Sequence, residues 1–375
     1  MTYIIQDKLK YIFSNNNILL NSLKFCKKNN IGDCHLEYIK LSIDKFLACR
    51  DISKGFVKFK CPHCPVTHLF PVTCKSRLCP SCGYRYSMTW TENIQKHILN
   101  VEHRHVLFTI PEECRKFFFY DRSLLSKLSD AVNQVFKFIF HNVSRKRKRK
   151  NKISEHSKYY FTDSDIVHYG LISVIHTFGR DLKWNPHIHA IVSLGGFNKN
   201  LKFKKMRYFN VGTIAGQWKY HVLKIIENGS YPNKKIEKAA KNTVTKLHKE
   251  NKRFFFNVGS NKEITFFFND LANNKKETYI TMPSERFISH ILIHLPPKNF
   301  KMVNRYGFYS RCISDKLKKA IEPFKRNVAL SKYSFYQKQT YKTFGMNPFY
   351  CPVCKVKMIV WEFYHYRYPP LKKYY

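Results

Sequence analysis

The sequence predicts an α+β protein, with a helical, cysteine-rich N-terminal domain followed by an antiparallel sheet domain with flanking helices. Three observations predict it. In residues 1–48 the apolar positions Leu20, Leu23, Leu36, Ile39, Ile43 and Phe46 recur at roughly helical spacing among Lys and Asn. Five cysteines crowd between Cys61 and Cys82, more than a simple apolar core uses. Further on, His187-Ile188-His189 runs into Ala190-Ile191-Val192, small and β-branched residues that favour a strand.

The N-terminal stretch shows no chemistry, and its helices are expected to pack on the next segment of the chain or on a nucleic-acid backbone. The cysteine segment after it contains Cys49-Arg-Asp, Cys61-Pro-His-Cys64, Cys74-Lys-Ser-Arg-Leu-Cys79 and Pro80-Ser-Cys82-Gly83. Two Cys-x-x-Cys knuckles, Cys61/Cys64 and Cys79/Cys82, each offer two thiolates from one turn. Together they predict a tetrahedral Zn²⁺ site. Gly83 is expected to help a turn that aims amides at sulfur. Cys49 and Cys74 are surplus: either can replace a knuckle cysteine or join His63 or His68 in a second site, and Cys74 can equally be a plain buried thiol. Lys75, Arg77 and Arg85 surround the knuckle and are expected to face phosphate.

Residues 103–110 read as a strand ended by Pro111, and a helix capped near Asp121 runs through Leu124, Leu128, Val132 and Phe136. Arg145, Lys146, Arg147, Lys148, Arg149 and Lys150 then form an unbroken run of cations, expected as a solvated loop, either a charged linker or a phosphate clamp. Residues 166–176 form the next strand, paired with 187–194 across a turn containing Gly179 and Asn185-Pro186. Residues two apart on a strand share a face, so His187 and His189 can reach one point while Ile188 faces the opposite layer. Two imidazoles there suit a divalent metal. His176 would lie near His187 and is a candidate third ligand, or a turn histidine bonded to backbone.

Helices are expected over Gly212–Ile226 and Lys234–Lys252, strands over Phe254–Phe256 and Ile264–Phe268 joined by 257–263, a helix over 283–295 and a strand over 301–310. The basic tail ends in Cys351-Pro-Val-Cys354 and an aromatic run, Trp361 to Tyr368. That knuckle is half a metal site whose partners the sequence does not reveal. The expected division is 1–100, helical plus zinc-binding; 101–310, the sheet domain; and 311–375, the tail.

Composition bounds the rest. The chain has 375 residues, enough for two or three domains, and 44% are hydrophobic, which excludes a disordered protein. Sixty-seven Lys and Arg against 25 Asp and Glu give a formal net charge of +42, and a polyanion relieves the resulting self-repulsion. Twelve cysteines without a signal-peptide pattern point to metal rather than disulfides, in a soluble, cytoplasmic protein. No apolar run has the length of a membrane span, and no P-loop signals a nucleotide cofactor.

With these pieces together, the chain resembles the rolling-circle, two-tyrosine HUH transposases of bacterial insertion sequences, which carry an N-terminal zinc domain. The resemblance rests on the cysteine segment, on His103-Arg-His-Val-Leu-Phe-Thr-Ile-Pro111, on His176-Thr-Phe-Gly-Arg-Asp-Leu-Lys-Trp-Asn-Pro-His-Ile-His189 and on Arg305-Tyr-Gly-Phe-Tyr309. It implies an HUH-type sheet domain, single-stranded element ends as the DNA partner, and structural Zn²⁺. It also implies a catalytic Mg²⁺ or Mn²⁺ on His187 and His189, with a tyrosine that attacks the phosphate. The family carries its tyrosine pair on a helix between two strands, before the Phe-Ile-x-x-His helix. Here that place is Asn257-Val-Gly-Ser-Asn-Lys-Glu263, which contains no tyrosine. Tyr306 and Tyr309 belong to a later segment and are the remaining nucleophile candidates. Tyr364 and Tyr368 have the family spacing in the wrong place. Two alternatives stand beside a transposase: a non-catalytic, zinc-dependent DNA-binding protein, and an HUH replication initiator, which the zinc domain disfavours.

Overall fold

The computed structural model describes residues 2–29, 31–147, 166–179, 182–206, 209–249, 256–257, 268–270, 276–278, 284–326, 347 and 349–368. In chain order its elements are α1 (Thr2–Ser14), α2 (Asn16–Lys28), α3 (Asp33–Leu47), β1 (Gly55–Lys60), β2 (Thr67–Pro71), α4 (Pro80–His97), β3 (His103–Thr109), α5 (Glu112–Tyr120), α6 (Leu124–Arg147), β4 (Ile166–Phe178) and β5 (Trp184–Asn198). Then come β6 (Phe203–Lys205), α7 (Val211–Glu227), α8 (Lys234–Lys249), β7 (Phe256–Asn257), β8 (Phe268–Asp270), β9 (Lys276–Thr278), α9 (Ser284–Ile293), β10 (Val303–Gly307), α10 (Asp315–Ile321) and β11 (Ile359–His365). Mixed helix and antiparallel sheet make this an α+β protein.

The chain forms two compact units: residues 1–96 with 282–298 and 327–375, and residues 97–281 with 299–326. This differs from the expected division into 1–100, 101–310 and 311–375. The tail is not separate, because β11 pairs antiparallel with β1 and completes a three-stranded sheet in the order β11-β1-β2. Strand pairing across some 300 residues leaves no local trace in sequence.

In the first unit Asn15 caps α2, its side chain accepting from the amides of Asn17 and Ile18. Helices α1 and α3 meet through Phe13 and Phe46, whose rings pack edge-on at 5.6 Å. The His35 Nε2 lies 2.9 Å from the Leu295 carbonyl oxygen, just beyond α9.

The second unit is built on an antiparallel sheet in the order β10-β4-β5-β3-β7, with β6 added to β5. One face is apolar: Phe108, Ile175, Ile188 and Val192 are fully buried there with Leu128 and Phe136 of α6 and Trp218 of α7. The Trp218 Nε1–H donates to the Thr109 carbonyl at 2.8 Å, so its polar edge is satisfied as its ring packs on Phe108. Burying that face leaves the alternate residues of β3, β4 and β5 on the other.

Several expectations differ from the structure. Helix α5 was not legible, because its Phe117-Phe118-Phe119-Tyr120 run has no helical period. Gly83 lies within α4, where its amide donates to the Cys79 carbonyl at 2.8 Å, so it makes no separate turn. The strands expected to join each other across 257–263 take other partners: Phe256 pairs with Phe108, and β8 pairs with β9. Residues 254–255, 258–263 and 264–267 lie outside the described residues. Arg145–Arg147 end α6 instead of starting a loop, and Lys148–Lys150 lie outside the described residues. No helix among the described residues is long and apolar enough to cross a membrane.

Candidate metal centre

Strands β4 and β5 place His176 directly opposite His187, with Val174 opposite His189. The alternation that buries Ile188 against the helices sends His187 and His189 to the other face. There the rings of His176 and His189 approach to 4.4 Å between centroids, and those of His187 and His189 to 5.1 Å. One nitrogen from each of the three lies within 4.8 Å of the others, and all three residues are half-buried.

The outer nitrogens of His187 and His189 are engaged. The His187 Nδ1 lies 2.7 Å from the Asn185 carbonyl, which fixes that nitrogen as the N–H and leaves Nε2 as the lone-pair donor. The His189 Nδ1 lies 3.0 Å from the Nε2 of His105, a ring stacked on it from β3. The sequence reading missed His105 as a site residue, because only the register of β3 against β5, with Leu107 opposite His189, brings it to the triad. Asn185 also stands on the histidine face, two residues before His187, and its side-chain oxygen is buried with no hydrogen-bond partner. Three imidazole nitrogens with a nearby orphaned oxygen fit a divalent transition-metal cation, for which Mn²⁺ is the weakest-binding example, better than Mg²⁺, which prefers oxygen alone.

Electrostatics keep these ligands neutral. Burial, then the neighbouring His187, holds His176 down at about 4, and burial, then His176, holds His189 at about 3, against an ordinary 6.5. Burial also lowers His187. Above 6.5 neither the folded nor the unfolded chain is protonated here. As pH falls from 6.5 towards 4, the unfolded chain binds protons that the folded chain refuses, so stability is lost across that window. Urea unfolding of the metal-free second unit within the full chain should therefore show a lower midpoint near about pH 5, inside that window, than near about pH 7.5, above it. The difference should shrink in His176→Leu, and equal midpoints would contradict this assignment.

The cysteines do not form the single site that spacing suggests. Cys61 and Cys64 do not face Cys79 and Cys82. The structure gathers Cys49, Cys74, Cys79 and Cys82 in one cluster and Cys61, Cys64, Cys351 and Cys354 in another. The reason is the β1–β2 hairpin, which carries the first knuckle at its tip, while the second sits at the start of α4. In the first cluster the Cys82 Sγ lies 3.8 Å from Cys49 and 3.6 Å from Cys74, and the Cys79 Sγ lies 3.8 Å from Cys49. Cys49, which the sequence left as surplus, is thus integral. The thiols share protons: Cys74 lowers Cys49 to about 7, and Cys49 in turn pulls Cys82 down and pushes Cys74 and Cys79 up. A zinc ion would replace those shared protons. Lys75 and Arg77 are exposed beside the cluster and Arg85 is half-buried on α4. Tyr84 and Tyr86, 56% and 60% exposed on the same helix, add aromatic surface that sequence reasoning did not single out. His63 and His68 join neither cluster.

The tyrosine candidates are placed elsewhere. Tyr306 pairs with Leu171, which puts it on the helix-covered face, and its hydroxyl donates to Asp130 of α6 at 2.9 Å. Gly307 has a left-handed φ of 59°, and a Cβ there would strike the Tyr169 carbonyl, so only glycine lets the chain turn Phe308 and Tyr309 inward. The Tyr309 hydroxyl then accepts from the Leu99 amide at 3.1 Å and lies 2.7 Å from the His103 Nε2. Burial pushes both phenols above their usual range.

A histidine triad on one sheet face and tetracysteine clusters in the other unit are the candidate metal sites, and the matching families give the class: transposases with a zinc-binding domain. The family described as "Transposase zinc-binding domain" matches residues 21–110, and that described as "Putative transposase" matches 170–265 and 232–316. The chain is similar to the "Transposase for insertion sequence element IS801" of Pseudomonas savastanoi pv. phaseolicola, at 23% identity over 94% of this chain and 88% of that protein. It is also similar to the "Putative transposase y4qJ" of Sinorhizobium fredii (strain NBRC 101917 / NGR234), at 19% identity over 69% of this chain and 71% of that one. No solved structure matches significantly. The chain belongs to the rolling-circle transposases of insertion sequences.

Proposed function

We propose that this transposase binds single-stranded ends of its element in the cytoplasm of a bacterium and presents a scissile phosphate to a divalent ion on His176, His187 and His189. The observation that carries this reading is the triad itself: three neutral imidazoles on one sheet face, two of them oriented by groups behind them. When bound, Mn²⁺ or Mg²⁺ there would polarise a phosphate oxygen and steady the leaving oxygen. The residues' own task is to hold lone pairs inward. Asn185 fixes the tautomer of His187, and His105 steadies the ring of His189. A zinc on Cys49, Cys74, Cys79 and Cys82 holds the start of α4, with Lys75, Arg77 and Arg85 available to phosphate. Residues 257–263, where the resemblance would place the family's tyrosine helix, contain no tyrosine, so no tethered nucleophile is assigned to the triad. Calorimetric titration with Mn²⁺ tests the triad: binding should be lost in His187→Ala and His189→Ala, and unchanged binding in both would overturn it.

DNA affinity should be salt-led, given the net charge of +42. If about six phosphates are neutralised, affinity for a single-stranded oligonucleotide should fall roughly 300-fold between about 50 and 200 mM salt. Fluorescence anisotropy at several salt concentrations measures the slope, and a flat response would exclude phosphate-led binding.

A further inference from the structure

The second cysteine cluster lies partly outside both family matches, which end at residues 110 and 316. Cys351 and Cys354 come from the tail, Cys61 and Cys64 from the tip of the β1–β2 hairpin. The Cys61 Sγ lies 3.3 Å from Cys354, and the Cys64 Sγ lies 3.4 Å from Cys351 and 4.0 Å from Cys354. Four sulfurs about 2.3 Å from one zinc stand about 3.8 Å apart, whereas a disulfide requires about 2.05 Å. The separations suit a shared ion.

The two knuckles repeat one design. Each reads Cys-Pro-x-Cys-x-Val. In each, the amide of the first cysteine donates to the carbonyl of the valine five residues on, Cys61 to Val66 at 3.0 Å and Cys351 to Val356 at 2.9 Å. Both stand at one end of the β11-β1-β2 sheet, since Lys60 pairs with Ile359. Beneath them Phe59, Phe70 and Met358 are buried together, so the four thiols sit on a core of their own. Cys61 and Cys351 are fully enclosed, while Cys354 remains exposed.

We propose that Cys61, Cys64, Cys351 and Cys354 hold a second Zn²⁺, forming a zinc ribbon assembled from the two ends of the chain. The ion fastens β11 to β1 across a separation of 293 residues between Cys61 and Cys354. A seven-residue strand alone returns little for closing so long a loop, and four zinc–thiolate bonds make up the difference. The ribbon is a closure of the chain: it forms only after the tail has been made. The inference is independent of the histidine site.

Metal content of full-length protein purified without chelator should be two zinc ions per chain, falling to one in the Cys351→Ser/Cys354→Ser double variant. A variant that misfolds is bypassed by alkylating the native wild-type protein and mapping modified peptides. With zinc bound, Cys354 should react at least about tenfold more slowly than Cys312, which is also exposed. Chelator should abolish that protection. Alkylation of Cys354 as fast as Cys312, a disulfide linking Cys61 or Cys64 to the tail, or one zinc per chain with Cys49 and Cys82 alone protected would each overturn the proposal. That last pattern would leave the first zinc site standing.

Discussion

Replacing Cys82 by serine should unfold the N-terminal unit of the protein while the sheet unit keeps its own core. Cys82 is 6% exposed and sits in the first turn of α4, where helix amides favour a thiolate. It touches Cys49 and Cys74 and so ties together three separate stretches of backbone. Apparent zinc binding contributes on the order of 10 kcal/mol to small modules of this kind, and whole domains are stable by only about 5–15 kcal/mol. Serine offers a hydroxyl that does not ionise near neutral pH, so most of that contribution is lost. Zinc content should fall by one ion, and limited proteolysis should cut within residues 1–96 while sparing residues 97–147. Cys34→Ser, at an exposed thiol outside both clusters, should change neither. A Cys82→Ser protein with full zinc content and the wild-type protease pattern would contradict the site.

This cluster also shows what was legible in the sequence. Spacing identifies cysteines that bind as pairs, because Cys-x-x-Cys presents two sulfurs from one turn whatever lies around it. It does not identify which pair meets which. Cys61 and Cys64 meet cysteines nearly 290 residues away, and Cys49 and Cys74 complete the other cluster, because the hairpin separates knuckles that sequence sets only fourteen residues apart. The histidine face was more legible, since strand alternation and a single hairpin determine it: once 166–176 and 187–194 are paired, His176 has to meet His187. His105 escaped because it acts across a strand neighbour, β3, whose register against β5 no motif announces. Tyr306 and Tyr309 illustrate the opposite limit. Their proximity to Gly307 was visible, but the face each would occupy depends on the pairing of β10 with β4.

The protein should form no covalent adduct with DNA, even with Mn²⁺ present. Attack on a phosphate needs an oxygen held about 3 Å from phosphorus and in line with the leaving group. Residues 257–263, where the family places its tyrosines, contain no tyrosine. Tyr306 lies on the far face of the sheet from the triad and is tied to Asp130. Tyr309 shares the histidine face but is buried, and its hydroxyl is engaged by His103 and by the amide of Leu99. Both phenols ionise less readily than usual, which weakens them further as nucleophiles. Water is then the nucleophile available to a phosphate at the triad, giving slow hydrolysis without strand transfer. The experiment mixes full-length protein, Mn²⁺ and end-labelled single-stranded DNA, denatures the mixture, and asks whether label migrates with protein. None should, and any cleavage products should disappear in His187→Ala. A labelled protein band would refute the prediction, and peptide mapping would name the tyrosine. If that residue were Tyr309, its bond to His103 must break during turnover, and His103→Phe should then raise the yield of adduct.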